Sequence, residues 1–238
     1  MRRLLSRPRV WLAAGVVLAL GVGNVYRMRG GLSGQISWWE VLKYALVPVE
    51  LLLPVLVAGT VGTLVVEDRR SGFASLVLVR PIRPLAYLLS GLAASMGVAA
   101  ALVAAPLAVA GSVARAIAPA VGTVSSFGTV SAPIPAGFPR SPSLASVAPA
   151  AMFAAGAIFI VALATLTGLI TTNPVAVVFV PAAVFLVGAS LPDGWQPWTY
   201  LEVRNGGPTL LRALGLWTVG ALATLVVSVA VTLRRRGL

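Results

Sequence analysis

Six apolar runs, each close to the length a helix needs to cross a lipid bilayer, constrain this chain more than any other feature. They are Val10–Tyr26, Tyr44–Val66, Leu85–Ala110, Ala148–Ile170, Val175–Leu191 and Ala213–Leu233. A hydrocarbon core about 30 Å thick is crossed by roughly 20 helical residues. The segments between the runs contain nothing that reads as a separate soluble domain, so residues 1–238 are expected to form one all-α transmembrane domain of six helices. The composition agrees: 58% of residues are hydrophobic and 10% charged, against about 25% charged in soluble domains. Arg2, Arg3, Arg7 and Arg9 before the first run also suit a signal peptide. No small-x-small cleavage site ends that run, and its removal would leave an odd number of spans, so it is retained as a span.

The 18 basic residues outnumber the 6 acidic ones, for a net charge of +12. These charges lie between apolar runs and not on a basic domain, which argues against nucleic acid and for a lipid membrane as the partner. With the N-terminus inside, the cytoplasmic side carries the four leader arginines, Arg69, Arg70, Arg80, Arg83 and Arg234 to Arg236. The other side carries seven basic residues over longer loops. Both termini therefore read as cytoplasmic, as an even number of spans requires. The expected location is the cell membrane, multi-pass, of a bacterial inner-membrane kind.

The chain has no Cys and no His. Disulfides, thiolate metal sites and cysteine or Ser-His nucleophiles are thereby excluded, and no acidic cluster has metal-ligand spacing. There is no GxxxxGK[ST] phosphate loop. The expectation is a chain that is not an enzyme and binds no cofactor or metal of its own.

The loops differ in kind. Thr171-Thr172-Asn173-Pro174 is a tight turn in which Asn173 caps the next helix and Pro174 occupies its first position. Gly111–Val147, with five prolines among Ser and Gly, reads as an irregular external loop. Trp38, Trp39 and Tyr44, like Trp195, Trp198 and Tyr200, suit a headgroup belt, with the shaping of an exit gate as the alternative. Gly15, Gly59, Thr63, Gly91 and Gly156 are small enough to permit close helix contacts.

Residues 67–84 are the most specific stretch. Phe73, Leu76 and Val77 fall on one helical face, Glu67 and Asp68 precede it, and Pro81 stops it. This predicts a short amphipathic cytoplasmic helix between spans two and three. Glu67 or Asp68, Gly72, Pro81 and Arg83, before a span opening with Tyr-Leu-Leu, resemble the motif of type-2 ABC permeases, whose usual form is Glu-x-x-x-Gly-Thr, a Leu-rich stretch and Pro-x-(Ser)-Arg. Phe73 stands where that family commonly has Thr, and Ser90 where it often has Lys. The resemblance implies a coupling helix built from Glu67, Asp68, Gly72, Phe73, Leu76, Arg80, Pro81 and Arg83. It also implies a separate ABC ATPase subunit that binds the ATP, and a dimer with a second permease copy or a related subunit. The bland alternative is a positive-inside loop whose arginines meet anionic lipid, a role that suits Arg69 and Arg70.

Glu50 is the ionisable residue placed well inside an apolar run, between Pro48 and Pro54. A mid-bilayer charge costs about 2.5–3.5 kcal/mol on insertion scales and usually faces a cavity or a partner. Glu50 is thus a candidate for a translocation path. The alternative puts it less than two turns below the outer surface, snorkelling or paired with Arg27, Arg29 or Lys43. The expected function is the permease subunit of an exporter for a hydrophobic or amphipathic cargo. The alternatives are an ion-coupled carrier using Glu50 and a non-transporting membrane scaffold.

Overall fold

The computed structural model describes residues 5–31, 37–71, 84–118, 141–188 and 210–234. The described residues form helices and no strand. These are α1 (Pro8–Gly31), α2 (Trp38–Ala45), α3 (Val47–Val57), a π-helical turn (Ala58–Gly62), α4 (Leu64–Arg70), α5 (Pro84–Ile117), α6 (Pro142–Ile170), α7 (Pro174–Gly188) and α8 (Leu210–Arg234). Five stretches are long and apolar enough to cross a membrane: α1, the run from Trp38 to Arg70, α5, α6 and α8. The chain is a multi-pass membrane protein. The apolar helix α7 is shorter, at 15 residues, and residues 189–191 of the fifth predicted run lie outside the described residues.

Several helices outrun the apolar runs that predict them. The second begins at Trp38 and continues to Arg70. The third extends through Ile117, so residues 111–117 of the predicted external loop are helical. The fourth begins at Pro142, which makes residues 142–147 helical as well. The physical reason is local. Ser112 to Ile117 is not interrupted by proline, and Ser141 adopts extended backbone before a proline in the first turn, an arrangement that starts helices. The rest of that loop, residues 119–140, lies outside the described residues, as do Trp195, Trp198 and Tyr200.

The packing is that of a protein whose solvent is lipid. On α8 the buried stripe is Ala213, Trp217, Ala221, Thr224 and Ser228, whereas Leu216, Val219, Leu222, Val226 and Val227 face outward. Trp217 apart, large apolar side chains outside and small or hydroxylated ones inside invert the soluble pattern, because lipid gives no hydrophobic drive to bury leucine and contact is won by close approach. The inward hydroxyls are satisfied within the helix: Thr224 donates to the Gly220 carbonyl at 2.8 Å and Ser228 to the Thr224 carbonyl at 2.8 Å.

Helix α6 is the central post, packed against α3, the π-helical turn, α4, α5, α7 and α8, while α1 lies against α2 and α5. A β-carbon at Gly111 of α5 would sit 1.8 Å from the Ser146 carbonyl oxygen of α6, and one at Gly62 would sit 2.5 Å from Ala164 Cβ. Gly15 and Gly91, expected from the sequence to allow such contacts, have nothing within 4 Å of that position. An aromatic wedge joins the other side: Trp217 of α8 stacks on Phe185 of α7 at 5.6 Å and meets Phe159 of α6 at 5.2 Å.

The α6–α7 turn is closed by side chains. Asn173 Oδ1 accepts from the Val175 N–H at 3.0 Å, Thr171 Oγ1 accepts from the Asn173 N–H at 3.1 Å, and Pro174 opens α7. Asn173→Ala is expected to cost about 1 kcal/mol, the usual worth of a helix cap. A lower thermal midpoint of the detergent-solubilised chain reports it, and an unchanged midpoint contradicts the capping role.

Candidate functional site

Trp38 and Trp39 correct the sequence reading of a headgroup belt. Both are buried in the core, ring edge against ring face at 5.6 Å. Every residue of α2 from Trp38 to Lys43 is buried, because α2 is covered by α1 and α5. Glu40 and Lys43 are buried with it, Lys43 Nζ lying 3.9 Å from Glu40 Oε1 and 5.8 Å from the centre of the Tyr44 ring. Glu50 is therefore not the one ionisable group inside the helix bundle. With the apolar stretch starting at Trp38, Glu50 stands twelve residues inside it, about 18 Å of helical rise. At 3% exposure it does not snorkel. It belongs to α3, which packs against α1, α6 and α7, and the missing N–H of Pro54 removes the helical donor to the Glu50 carbonyl.

Seventeen residues further on, about 25 Å of rise, the same stretch ends in Glu67, Asp68 and Arg69. The sequence reading placed Glu67 and Asp68 ahead of a short helix around Phe73 to Val79, which lies outside the described residues. The two acids lie inside α4, and Thr63 and Gly62 connect them to the π-helical turn above. Consecutive helical residues point about 100° apart, so three in a row address three different neighbours.

Glu67 addresses the N-terminal segment. Its Oε1 accepts from Arg9 Nη1 at 2.6 Å and from Thr63 Oγ1 at 2.8 Å, and its Oε2 accepts from Arg7 Nη1. Asp68 addresses the start of α5: Tyr87 Oη donates to Asp68 Oδ2 at 2.6 Å. Arg69 addresses the end of α6, donating to the carbonyls of Gly168 at 2.8 Å and Leu169 at 3.2 Å. Both carbonyls belong to the last turn of α6, at the negative end of the helix dipole. Arg69 is thus a clamp on a neighbouring helix, a role the sequence did not show, and both Arg69 and Arg70 are exposed.

The start of α1, the end of α4, the start of α5 and the end of α6 accordingly share one end of the bundle. The geometry is a mechanical junction: a single turn of helix tied by charged and hydroxyl groups to three other elements. The predicted coupling residues Gly72, Phe73, Leu76, Arg80, Pro81 and Arg83 lie outside the described residues, and the contacts just listed lie at the two points where that segment leaves and rejoins the bundle. Arg7, Arg9, Thr63 and Tyr87 entered the sequence reading as leader charges, a small helix-contact residue and the opening of a span, and not as partners of the two acids. The signal available was charge balance, since Glu67 and Asp68 are a third of all acidic residues in the chain and stand together at a basic face.

Among the described residues no cluster of three or more His, Cys, Asp or Glu is placed to hold a metal ion. Glu50 and the Glu67 junction are separate sites at different depths. Comparison with protein families, with curated proteins and with solved structures finds no match to this chain.

Proposed function

We propose that this chain is the membrane-spanning subunit of an ABC-type exporter, with six spans, both termini in the cytoplasm, and a separate ATPase docked on residues 67–84. The observation that carries the reading is the three-way attachment of Glu67, Asp68 and Arg69. A segment pushed from below transmits force only if its ends are fastened to the helices that must move. Here the leading end is fastened to α1, α5 and α6 by groups within hydrogen-bond reach. An ordinary lipid-facing loop has no need of such ties.

In this reading α4 is the lever, and the π-helical turn above it is a deformable joint in the same stretch, since π-turns interrupt regular helix at functional positions. Glu50 higher in that stretch is the group placed to sense the altered packing along the path. ATP binding and hydrolysis belong to the partner, the permease pairs with a second copy or a related subunit, and the apolar helices favour a hydrophobic or amphipathic cargo.

The test is whether the full chain, expressed from its native locus, co-purifies with an ATPase. Reversing charge at Arg80 and Arg83 together is expected to weaken that association about tenfold, the range typical of losing desolvated charge contacts at an interface. Transport by the purified chain alone under a proton gradient would instead establish the ion-coupled carrier. Correct folding and membrane insertion with no ATPase bound under any nucleotide condition would favour the scaffold.

A further inference from the structure

Between α1 and α5 runs an apolar groove of about 500 Å³, bounded by Val10, Ala14 and Leu18 on one side and Val98, Leu102 and Val109 on the other. We propose that it binds one anionic phospholipid of the leaflet on the Arg7 side, with an acyl chain in the groove and the phosphate at Arg7. The size is within the range of pockets that hold small amphiphiles, about 300–1,000 Å³. From Val98 to Val109 the helical rise is about 16 Å, close to half of a hydrocarbon core of about 30 Å. The groove therefore has the depth of a single leaflet, and every residue lining it is apolar or glycine.

The foot of the groove supplies the headgroup chemistry. Leu5 and Val10, which line the lower end, bracket Arg7 and Arg9. These two guanidinium groups share one carboxylate, Glu67, so the cluster keeps a net positive charge. Asp68, the other acid of this turn, accepts from the neutral Tyr87 hydroxyl and is followed by Arg69 and Arg70, so the basic excess at this end of the bundle remains. A phosphate monoanion completes the balance, and α1 begins at Pro8 with its positive end beside it. Trp11 lines the groove and is 62% exposed, and its Nε1 donates to the Leu5 carbonyl at 2.7 Å, so the indole sits at the mouth as interfacial tryptophans do. The face is a recess, which takes a flexible chain where a second copy would have to present a helix about 10 Å across.

The experiment reconstitutes the full chain in vesicles of equal parts phosphatidylglycerol and phosphatidylcholine with matched acyl chains. Mild detergent extraction and native mass spectrometry then count the retained lipid. The chain is expected to keep phosphatidylglycerol over phosphatidylcholine by about fivefold, the effect of one basic residue near a membrane surface. Arg7→Gln is expected to equalise the two. Gly15→Leu fills the groove without striking protein, because nothing lies within 4 Å of a β-carbon there, and is expected to lose the retained lipid. Gly23→Leu, equally unobstructed on the same helix outside the groove, is expected to keep it. Equal retention of both lipids by the unsubstituted chain overturns the proposal, as does the same outcome for Gly15→Leu and Gly23→Leu. Displacement by excess soluble glycerol phosphate would mean that the headgroup alone binds, and a shift from dimer to monomer mass in Gly15→Leu would assign the groove to a second copy. Either result also overturns it. The inference stands apart from the transporter reading, and its failure leaves that reading untouched.

Discussion

Leucine in place of Gly111 is expected to destabilise the folded chain severely. A β-carbon at this position falls 1.8 Å from the Ser146 carbonyl oxygen and 2.9 Å from the Ser146 carbonyl carbon. The obstructing atoms are backbone, which no rotamer change can clear. They belong to α6, which is hemmed in by most of the other helices and has no room to retreat. Inserting bulk into a packed interior typically costs about 1–3 kcal/mol and sometimes more. With backbone as the obstacle the expected loss is about 3 kcal/mol or above, a large part of a net stability of about 5–15 kcal/mol. Fluorescence-detected size exclusion and a thermal scan in detergent measure it, with Gly91→Leu as the control. Nothing lies within 4 Å of a β-carbon at Gly91, so that variant should stay within about 0.5 kcal/mol of the parent. A Gly111→Leu chain that elutes and melts like the parent would mean that α5 and α6 are not packed as described.

The second large effect is expected at the junction. Glu67→Lys places a third cation against Arg7 and Arg9 and withdraws the acceptor that serves both, along with Thr63. The Glu67 side chain is 33% exposed, so water screens part of the repulsion, and the expected loss of stability is about 1–2 kcal/mol and not the 3–5 of a fully buried pair. Function should suffer more than stability. If α4 is the lever, an untied Glu67 end lets it move without α1, and transport by the assembled complex should fall at least about tenfold, equivalent to about 1.4 kcal/mol of lost coupling. The informative companion is the swap Glu67→Arg with Arg9→Glu. It restores one cross-chain pair and should recover roughly half of the lost stability if the interaction is direct. No recovery in the swap would show that Glu67 acts through some other contact. Recovery of stability without transport would separate the tie from the lever.

Local pattern made part of this molecule legible. An apolar run near 20 residues has few fates, so the membrane class and the all-helical fold followed from hydropathy. The Asn173-Pro174 turn followed from capping chemistry that acts over three residues. The ends of helices were less legible, because Ala- and Ser-rich continuations such as residues 111–117 carry no polarity to mark a boundary. The small-residue contacts were only partly legible: Gly15 and Gly91 meet nothing, Gly59 meets Val178, and the tight approaches at Gly21, Gly62, Gly111 and Gly220 were not foreseen. In a chain with 24 glycines, composition does not reveal which face of a helix meets another.

At the candidate site the same division holds. Glu67 and Asp68 stood out through their neighbours in sequence, while Arg7 is sixty residues from the carboxylate it binds and Arg69 about a hundred from the carbonyls it clamps. Trp38 and Trp39 were read as interfacial from their place at the edge of an apolar run, yet α1 and α5 close over them.

Sequence alone determined that these helices live in lipid, because the cost of placing charge or bare backbone in hydrocarbon is paid residue by residue. Tertiary structure decided that Glu67, Asp68 and Arg69 would each hold a different element, that Glu50 would be enclosed, and that an apolar groove would open between α1 and α5. Those outcomes depend on which helices touch and at what height, and contacts made across dozens of residues leave no periodic trace in the chain that makes them.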